Sequence, residues 1–307
     1  MLKREVWIEV CSRVTKVYSK GELIANEPTA VAIDGLSGRV EAFGDAALEF
    51  MQRLAANQVQ YNLVWPVSTG ITDFYAFEYF LRGLLNKSFD GNKLLGLLQR
   101  SYQMVFIVPS TVSSVDLRAW RDSGQHAGAA EVYFIHKPYL VMRGLGIDFY
   151  TTAGTALVEI GSSSTEIFVI ANGKILANEQ LAVGKNSFIS SIQVDYKRTQ
   201  NQSISVTAAE RLLEQDAAVL KWVEKYYFII EETLWRVLDT MPADTVQAIV
   251  AKGITLYGAG ANSVGLKAAL SFNGKLALQH VSDSDHVISR EIGNLNGKGF
   301  PRDLFIR

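Results

Sequence analysis

The chain has 307 residues and a formal net charge of −1, with 48% hydrophobic and 20% charged residues. A chain of this length predicts two domains, and this composition is typical of folded globular proteins rather than disordered ones. Because the net charge is close to zero and no basic stripe is present, the composition argues against nucleic-acid binding.

Cysteine content and hydropathy predict the cellular location. The single cysteine, Cys11, cannot form an intramolecular disulfide, which suits a reducing compartment. No apolar run approaches the ~18 residues of a membrane-spanning helix, and the charged start of the chain lacks a signal peptide's apolar stretch. We therefore expect a cytoplasmic protein with at most a peripheral contact at the inner face of the membrane.

The first predicted element is a three-stranded meander. An apolar strand ending in a glutamate, a serine-containing turn and a second strand span residues 7–18, and Gly21 marks the turn into a third strand at 23–31. Helical spacing follows at Asp45–Ala55 and Ser113–Gly128, with a strand at Met104–Pro109 between them.

The second half of the chain repeats this order. Residues 158–169 again place a serine three positions and a threonine six positions after a strand-ending glutamate, and residues 175–183 resemble residues 23–31. Helices are predicted at Asn186–Asp195 and Asp216–Asp239, and a strand at Gly253–Tyr257. The repeat predicts two related α/β domains, each a mixed sheet covered by helices. Two unrelated α/β domains are the alternative.

Two segments resemble a known family. Asn26–Asp34 is similar to the Asn-Glu-Pro-Ser segment of bacterial MreB, and Trp65–Phe74 is similar to its Pro-Leu-x-x-Gly-Val-Ile-x-Asp-Phe segment. Further matches follow in MreB order at Val108–Ser110, Ala127–Tyr133, Thr207–Arg211 and Gly253–Ala261. The chain thus resembles a divergent MreB of the actin, sugar-kinase and heat-shock-chaperone superfamily over nearly its whole length.

This resemblance implies the fold and the cofactor. It implies an α/β protein with two related actin-like (ribonuclease-H-like) domains facing a nucleotide cleft, and ATP or ADP with Mg²⁺ as ligands. Domain I is expected at 1–148, completed by about 283–307, and domain II at 149–282. No strand-forming run lies between Glu214 and the helix near Asp216, so domain II is expected to have a shortened outer subdomain.

At the first hairpin the resemblance places Glu9, Cys11, Ser12 and Arg13 in the nucleotide site, where the family has Asp-x-Gly-Thr. A glycine there lets backbone amides approach phosphates closely, and the Cβ of Cys11 obstructs that approach. Arg13 is either a partner for phosphate or a solvated turn residue.

At the second hairpin the family's Asp-x-Gly-Gly-Gly-Thr is matched by Glu159, Gly161, Ser162, Ser163 and Ser164. The serine hydroxyls can donate to phosphate, although a serine-rich turn is also an ordinary turn. The aspartates of both hairpins have become glutamates, so a carboxylate pair that can bind Mg²⁺ is retained.

The catalytic position shows the largest departure. The family's Glu-Glu-Pro, which positions the attacking water, is matched by His136-Lys137-Pro138. Lys137 can attract a phosphate but, as an ammonium, cannot accept a proton from water. His136 can act as a base but lies one residue from the expected position. We therefore predict no ATP hydrolysis.

The remaining candidates come from three segments. Gly184 begins Gly184–Asn186, which replaces the family's Gly-Gly-Asp, and Glu210 and Arg211 match its Glu-Lys pair. Gly258, Ala259 and Gly260 match its triple-glycine turn near the adenosine; a tight connection required by the fold is the alternative. Purine binding without turnover therefore stays open.

The functional prediction is an MreB-like cytoskeletal or filament-associated protein with a degenerate nucleotide site, structural or regulatory in cell shape or morphogenesis. The alternatives are an active actin-like ATPase with nucleotide-dependent filaments and a small-molecule kinase of the same superfamily, for which no acidic base can be named. Expected partners are a second copy or a true MreB-type filament protein. Peripheral membrane contact is assigned to Leu94, Leu95, Leu97 and Leu98, unless these residues pack on their own domain.

Overall fold

The computed structural model describes residues 4–54, 60–68, 70–89, 102–271, 274, 276–295 and 305–306. The chain forms two compact units, one comprising Met1–Leu140 with Val287–Arg307 and the other Val141–His286. The leucines proposed for membrane contact, Leu94, Leu95, Leu97 and Leu98, lie outside the described residues.

Within its described part, unit 1 contains two sheets, four helices that begin within residues 1–140, and most of the last described helix. The strands are β1 (Arg4–Val10), β2 (Val14–Ser19), β3 (Glu22–Pro28), β4 (Val31–Asp34), β5 (Val40–Phe43), β6 (Tyr61–Val64), β7 (Tyr102–Val108), β8 (Glu131–His136) and β14 (Phe305–Ile306). The helices are α1 (Asp45–Arg53), α2 (Phe74–Phe89), α3 (Ser114–His126) and α4 (Lys137–Gly144), the last continuing into unit 2. The main sheet has the order β14-β8-β7-β1-β2-β3, and the smaller sheet has the order β5-β4-β6.

Unit 2 contains one sheet. Its strands are β9 (Thr155–Ile160), β10 (Thr165–Ala171), β11 (Lys174–Leu181), β12 (Ile254–Tyr257) and β13 (Leu278–His280), in the order β11-β10-β9-β12-β13. Its helices are α5 (Lys185–Gln200), α6 (Val206–Gln215), α7 (Leu220–Asp239), α8 (Ala243–Lys252) and α9 (Leu266–Leu270), and α10 (Ser284–Leu295) leads back into unit 1.

The two main sheets have the same topology. In each, the first three strands form an antiparallel meander, and the first strand pairs in parallel with a later strand, β7 or β12, which pairs in parallel with the next one. The predicted repeat of strand order is therefore confirmed within each unit.

Both meanders turn between their second and third strands through a two-residue connection. Lys20 and Gly21 have φ of 54° and 83°, and Asn172 and Gly173 have φ of 50° and 73°. Positive φ at both positions is the requirement of the hairpin turn whose twist matches the flanking strands, and Asn-Gly is among its preferred sequences. The glycines predicted to mark these turns do so.

Each unit has its own apolar core beneath its sheet. In unit 1, helices α2 and α3 bury Phe77, Phe80 and Trp120 against Ile8 and Phe106 of the sheet. In unit 2, helices α5 and α7 bury Phe188, Tyr227 and Ile230 against Val158 and Ile167. These contacts explain the helical spacing predicted from the sequence for α3, α5 and α7.

Two helix boundaries differ from the prediction for a local reason. Ser113 is the N-cap of α3, and its side chain accepts a hydrogen bond from the Asp116 amide. Asp216 caps a single 3₁₀ turn at Ala217–Val219, and the α-helix begins only at Leu220. All of residues 182–253 are described, and none forms a strand.

The C-terminal helix α10 packs against the first meander. The Ser289 hydroxyl donates to the Gly21 carbonyl at 2.9 Å. An added Cβ at Gly21 would lie 2.3 Å from the Cα of Gly293, so a glycine is needed here for close backbone contact. Strand β14 then pairs antiparallel with β8. Within the described ranges, no helix is long and apolar enough to cross a membrane.

Candidate nucleotide site

The candidate residues of unit 1 meet at one edge of its main sheet. Strands β1, β7 and β8 run parallel, so their carboxyl ends lie side by side, the usual place for ligand binding in such sheets. Glu9 is level with Ile107, which is level with Ile135. Lys137 follows β8 directly and begins α4, so chain topology brings it to Glu9.

The Glu9 carboxylate is buried and surrounded by donors. Its side chain is 2% exposed, and the Lys137 Nζ lies 2.7 Å from Oε1. The Lys16 Nζ lies 3.9 Å from Oε2, and the Tyr18 hydroxyl donates to the same oxygen at 3.2 Å. The Cys11 thiol faces Oε1 at 3.9 Å. Both oxygens of this carboxylate are thus engaged by side chains of its own unit.

These contacts fix the charge of the group. Burial alone raises the pKa of Glu9, but the charges of Lys137 and Lys16 and the hydrogen bonds from Lys137 and Tyr18 outweigh it and lower the pKa to about 2. Glu9 is therefore ionised at neutral pH, and it faces two ammonium groups.

The His136 ring forms a hydrogen bond with a backbone carbonyl. Its Nδ1 donates to the Pro109 carbonyl at 3.1 Å, and its ring lies edge-on to Tyr139 at 5.7 Å. Burial lowers the pKa of His136 below its usual range, and the hydrogen bond to Pro109 opposes part of this shift. The imidazole is neutral at pH 7 and lies one residue before the lysine that contacts Glu9.

The first hairpin turn is closed by its own backbone. The Cys11 amide donates to the Val14 carbonyl at 3.0 Å, and the Thr29 hydroxyl donates to the Cys11 carbonyl at 2.9 Å. Ser12 is half-buried in this turn. The guanidinium of Arg13 lies 4.3 Å from the centre of the Trp65 ring, a cation–π arrangement. Arg13 is exposed, and its role toward a phosphate stays a prediction.

The second hairpin is closed in the same way but packs on a helix. The Gly161 amide donates to the Ser164 carbonyl at 2.8 Å, and the Lys185 amide at the start of α5 donates to the Gly161 carbonyl at 2.9 Å. A Cβ added at Gly184 would lie within 2.8 Å of Ser162 and Ser164 backbone atoms. The backbone of the second hairpin turn therefore packs directly on the N-cap of α5. The residues involved are Gly161, Ser162, Ser163, Ser164 and Gly184.

Lys185 contacts Glu210, one of the residues predicted to lie near a bound purine. The Lys185 Nζ lies 3.5 Å from Glu210 and 3.2 Å from Glu214. Lys185 stands where the resemblance implies a glycine. Arg211, next to Glu210 on α6, is exposed.

The turn after β12 packs on the end of β9. Gly258 has φ of 97°, and an added Cβ would lie 2.7 Å from the Ile160 carbonyl oxygen and 3.0 Å from the Glu159 side chain. At Gly260 the Cβ would lie 2.4 Å from the Ile160 side chain, while Ala259 is exposed. Fold packing alone requires both glycines, so their contact with a purine stays a prediction. The structure places them beside Glu159, itself half-buried.

A divalent metal ion does not fit at Glu9. Mg²⁺ is held by carboxylate oxygens and waters, and here both oxygens are engaged. A divalent ion at either oxygen would have to displace the side chain that contacts it, and the two ammonium groups would repel the ion. Within the described residues, no group of three or more His, Cys, Asp or Glu side chains is arranged to hold a metal ion.

Comparison with known proteins decides the family. The family model described as MreB/Mbl protein matches residues 3–221. The chain belongs to the MreB/Mbl family. The cell shape-determining protein Mbl of Bacillus subtilis (strain 168) is 28% identical over 221 residues, which are 71% of this chain and 64% of that protein. MreB of Escherichia coli (strain K12) is 28% identical over 218 residues, 69% of this chain and 61% of that protein. The match thus spans less than two thirds of these relatives.

Solved structures of MreB-type proteins share the fold. The crystal structure of MreB5 of Spiroplasma citri bound to ADP has a TM-score of 0.83 at 17% identity and covers 96% of this chain and 97% of that one. The same protein bound to AMPPNP gives 0.83 at 18% identity, with 97% of each chain covered. The MamK double helical filament gives 0.73 at 18% identity, covering 97% of this chain and 100% of that one. The predicted actin-like α/β fold and the resemblance to MreB as a divergent member are confirmed.

Sequence reasoning missed the partners of the candidate carboxylates in this MreB/Mbl family member. Lys16 faces Glu9 across the first hairpin in the β1–β2 register, so hairpin pairing could have revealed it. The contacts of Lys137 with Glu9 and of Lys185 with Glu210 join residues that are distant in sequence, and only the fold reveals them. The roles of all these residues toward a nucleotide remain predictions.

Proposed function

We propose that this chain is a filament-forming, MreB-type cytoskeletal protein that acts in cell shape, and that its nucleotide site does not turn over ATP. The observation that carries the second part is the ion pair between Glu9 and Lys137 at 2.7 Å. It lies at the position where the family resemblance implies a metal-binding aspartate and a water-positioning glutamate.

Assembly and cell shape are supported by the relatives. The curated relatives of this family member are named cell shape-determining proteins, and MamK, which shares the fold, is known as a double helical filament. We therefore propose self-association in the cytoplasm, or co-assembly with a true MreB-type filament protein, as the context in which this chain acts.

The absence of turnover is supported by the chemistry around Lys137. Hydrolysis of ATP requires a group that orients the attacking water in line with the γ-phosphate. An ammonium has three donors and no acceptor, and that of Lys137 is already paired with Glu9. His136 donates from Nδ1 to the Pro109 carbonyl, and it lies one residue before the position where the family resemblance implies the water-positioning glutamate.

Nucleotide binding without turnover is supported by the structural relatives and by the site's charge. MreB5 of Spiroplasma citri binds ADP and AMPPNP in a fold similar to this one. Lys16 of the first hairpin and Lys137 at the start of α4 together give the surroundings of Glu9 a net positive charge, which suits a phosphate. We propose that nucleotide occupancy, where it occurs, stabilises the fold rather than driving a hydrolysis cycle.

The test is an assay of phosphate release and of assembly on the purified full chain. We expect phosphate release from ATP at the level of a buffer control, while sedimentation and electron microscopy detect filaments. Phosphate release clearly above the control and abolished by Glu9→Ala would contradict the proposal and favour an active ATPase. A chain that stays monomeric alone and with a co-expressed MreB-type protein would contradict the filament role.

Restoring the family's residues provides a second arm of the test. The variant combines Glu9→Asp, Glu159→Asp, Lys137→Glu, Cys11→Gly, Ser162→Gly and Ser163→Gly. We expect Mg²⁺ with ATP to raise its melting temperature more than that of the wild type, because a ligand that binds only the native state stabilises it by mass action. Lys225→Glu, which makes the same charge change at an exposed position of α7, is the control and should behave as the wild type.

A further inference from the structure

We propose that Lys137 and Lys16 take the place of a divalent cation, so that this edge of unit 1 binds the phosphate groups of a nucleotide without Mg²⁺. The inference rests on the proposed function only for the identity of the ligand as a nucleotide. The chemistry recognised is that of a phosphate chain.

Charge is the first argument. One carboxylate facing one Mg²⁺ has a net charge of +1. Glu9 facing the ammonium groups of Lys137 and Lys16 has the same net charge of +1, since each ammonium carries one positive charge. The edge of the sheet therefore presents the electrostatic environment that a phosphate requires, and it does so with covalently attached cations.

Geometry is the second argument. Glu9 is fixed by the Tyr18 hydroxyl, and it holds the Lys137 ammonium at 2.7 Å. The lysine side chains nevertheless reach the surface, with 12% exposed for Lys137 and 16% for Lys16. A lysine that is held in place by a buried carboxylate loses less side-chain freedom on binding an anion than a mobile surface lysine does. The pair is thus preorganised for an anion approaching from solvent.

Exclusion of the metal is the third argument. Two ammonium groups face the carboxylate that a divalent ion would need, and both repel it. Binding of Mg²⁺ would require one lysine to leave Glu9, which would cost the charge-assisted contact at 2.7 Å. The alternative is that the Glu9–Lys137 pair only stabilises the sheet edge and contacts no ligand.

The deciding experiment compares nucleotide affinity with and without metal. A fluorescent ATP analogue is titrated into the wild-type chain in EDTA and in millimolar Mg²⁺ at equal ionic strength, with tripolyphosphate as competitor. We expect dissociation constants that agree within about twofold, whereas a metal-dependent site would bind at least about tenfold more tightly with Mg²⁺. Competition by tripolyphosphate, but not by adenosine at the same concentration, is expected because phosphate contacts dominate.

Variants identify the residues responsible. Lys137→Met and Lys16→Met should each weaken binding in EDTA by about tenfold or more, which is the size of a charge-assisted hydrogen bond. The double variant Glu9→Gln with Lys137→Met removes the same ammonium without leaving a buried charge, and it keeps the test valid if Lys137→Met fails to fold. Lys87→Met is the matched control, since Lys87 pairs with buried Glu27 on β3, two strands from β1, and it should bind as the wild type does.

Each remaining outcome counts against the inference. Tightening by Mg²⁺ of about tenfold in the wild type would overturn it, as would unchanged affinity in the lysine variants. No binding of the analogue under either condition would also overturn it, while leaving filament formation intact as a scaffold function. Loss of filaments with metal-independent binding preserved would overturn the filament role alone, so the two proposals fail separately.

Discussion

Glu9 illustrates how a carboxylate at a ligand-binding edge can be satisfied from within the chain. A buried charge must be paired and hydrogen-bonded, since an unpaired one costs several kcal/mol. Here the compensation comes from Lys137, Lys16 and Tyr18. The carboxylate is thus satisfied by side chains of unit 1 itself, so a ligand would meet a preformed charge distribution rather than create it.

The first prediction concerns the stability of this network. Lys137→Met should lower the free energy of unfolding by about 3 kcal/mol, because removing one partner of a buried ion pair leaves the other uncompensated. The double variant Glu9→Gln with Lys137→Met should recover most of that loss. Urea denaturation followed by circular dichroism measures both values.

Lys87→Met is the control for this prediction as well. Lys87 also pairs with a buried glutamate, but its own side chain is 56% exposed, so water replaces much of the contact and a loss of about 1 kcal/mol or less is expected. Equal losses for Lys87→Met and Lys137→Met would contradict the special status of the Glu9 network.

The second prediction concerns pH. The pKa of Glu9 falls from its ordinary value of 4.5 to about 2 in the folded chain, so the stabilisation is present above pH 4.5 and is lost as the pH falls from there toward 2. A shift of this size corresponds to about 3 kcal/mol. The double variant Glu9→Gln with Lys137→Met should lose correspondingly less stability between pH 5 and pH 3. An identical pH slope in the two chains would argue against the shift.

At the scale of elements, the second hairpin is joined to the N-terminus of helix α5 by backbone hydrogen bonds. Amides of the first turn of a helix have no partner within the helix, and here those of Lys185 and Asn186 donate to the carbonyls of Gly161 and Ser162 at 2.9 Å. The carbonyl groups of the hairpin therefore accept hydrogen bonds from amides that, at other helix N-termini, often bind an anion. Any phosphate contact in unit 2 must then come from other groups, such as the serine hydroxyls.

The third prediction tests this packing. Gly184→Ala should destabilise the chain by about 1–3 kcal/mol, because the new methyl group meets backbone atoms that cannot rotate away. These are the Ser164 amide at 2.7 Å and the Gly161 carbonyl at 2.8 Å. Chemical denaturation of the full chain provides the measurement.

Gly293→Ala is the control, because a methyl group can be accommodated at this glycine. Its added Cβ would meet nothing nearer than Gly21 at 3.5 Å, and alanine has the higher helix propensity, so stability should stay within about 1 kcal/mol of the wild type. If Gly184→Ala proves as harmless as Gly293→Ala, the hairpin and α5 are not rigidly packed.

At the scale of the whole molecule, the features that could be predicted from the sequence are those determined by residues close together in the chain. The β-branched and aromatic residues of the strands and the Lys20-Gly21 and Asn172-Gly173 turns are encoded within a few residues, so both meanders and their repeat were predictable. The family motifs predicted which residues gather at each sheet edge. The motifs did not predict the ion pair between Glu9 and Lys137. This contact joins the first strand to a residue that follows a strand two positions away in the sheet. A comparison with family motifs shows which residue has been replaced at each position, but not which residues contact each other.

The packing of α10 on the first meander has a consequence for synthesis on the ribosome. The hydrogen bond between Ser289 and Gly21 spans 268 positions of the chain, and unit 1 includes Val287–Arg307. Residues 141–286 emerge as one continuous stretch and can fold as soon as they leave the exit tunnel, since domains generally fold as units during translation. The completion of unit 1 therefore requires residues 287–307, which are translated after all of unit 2.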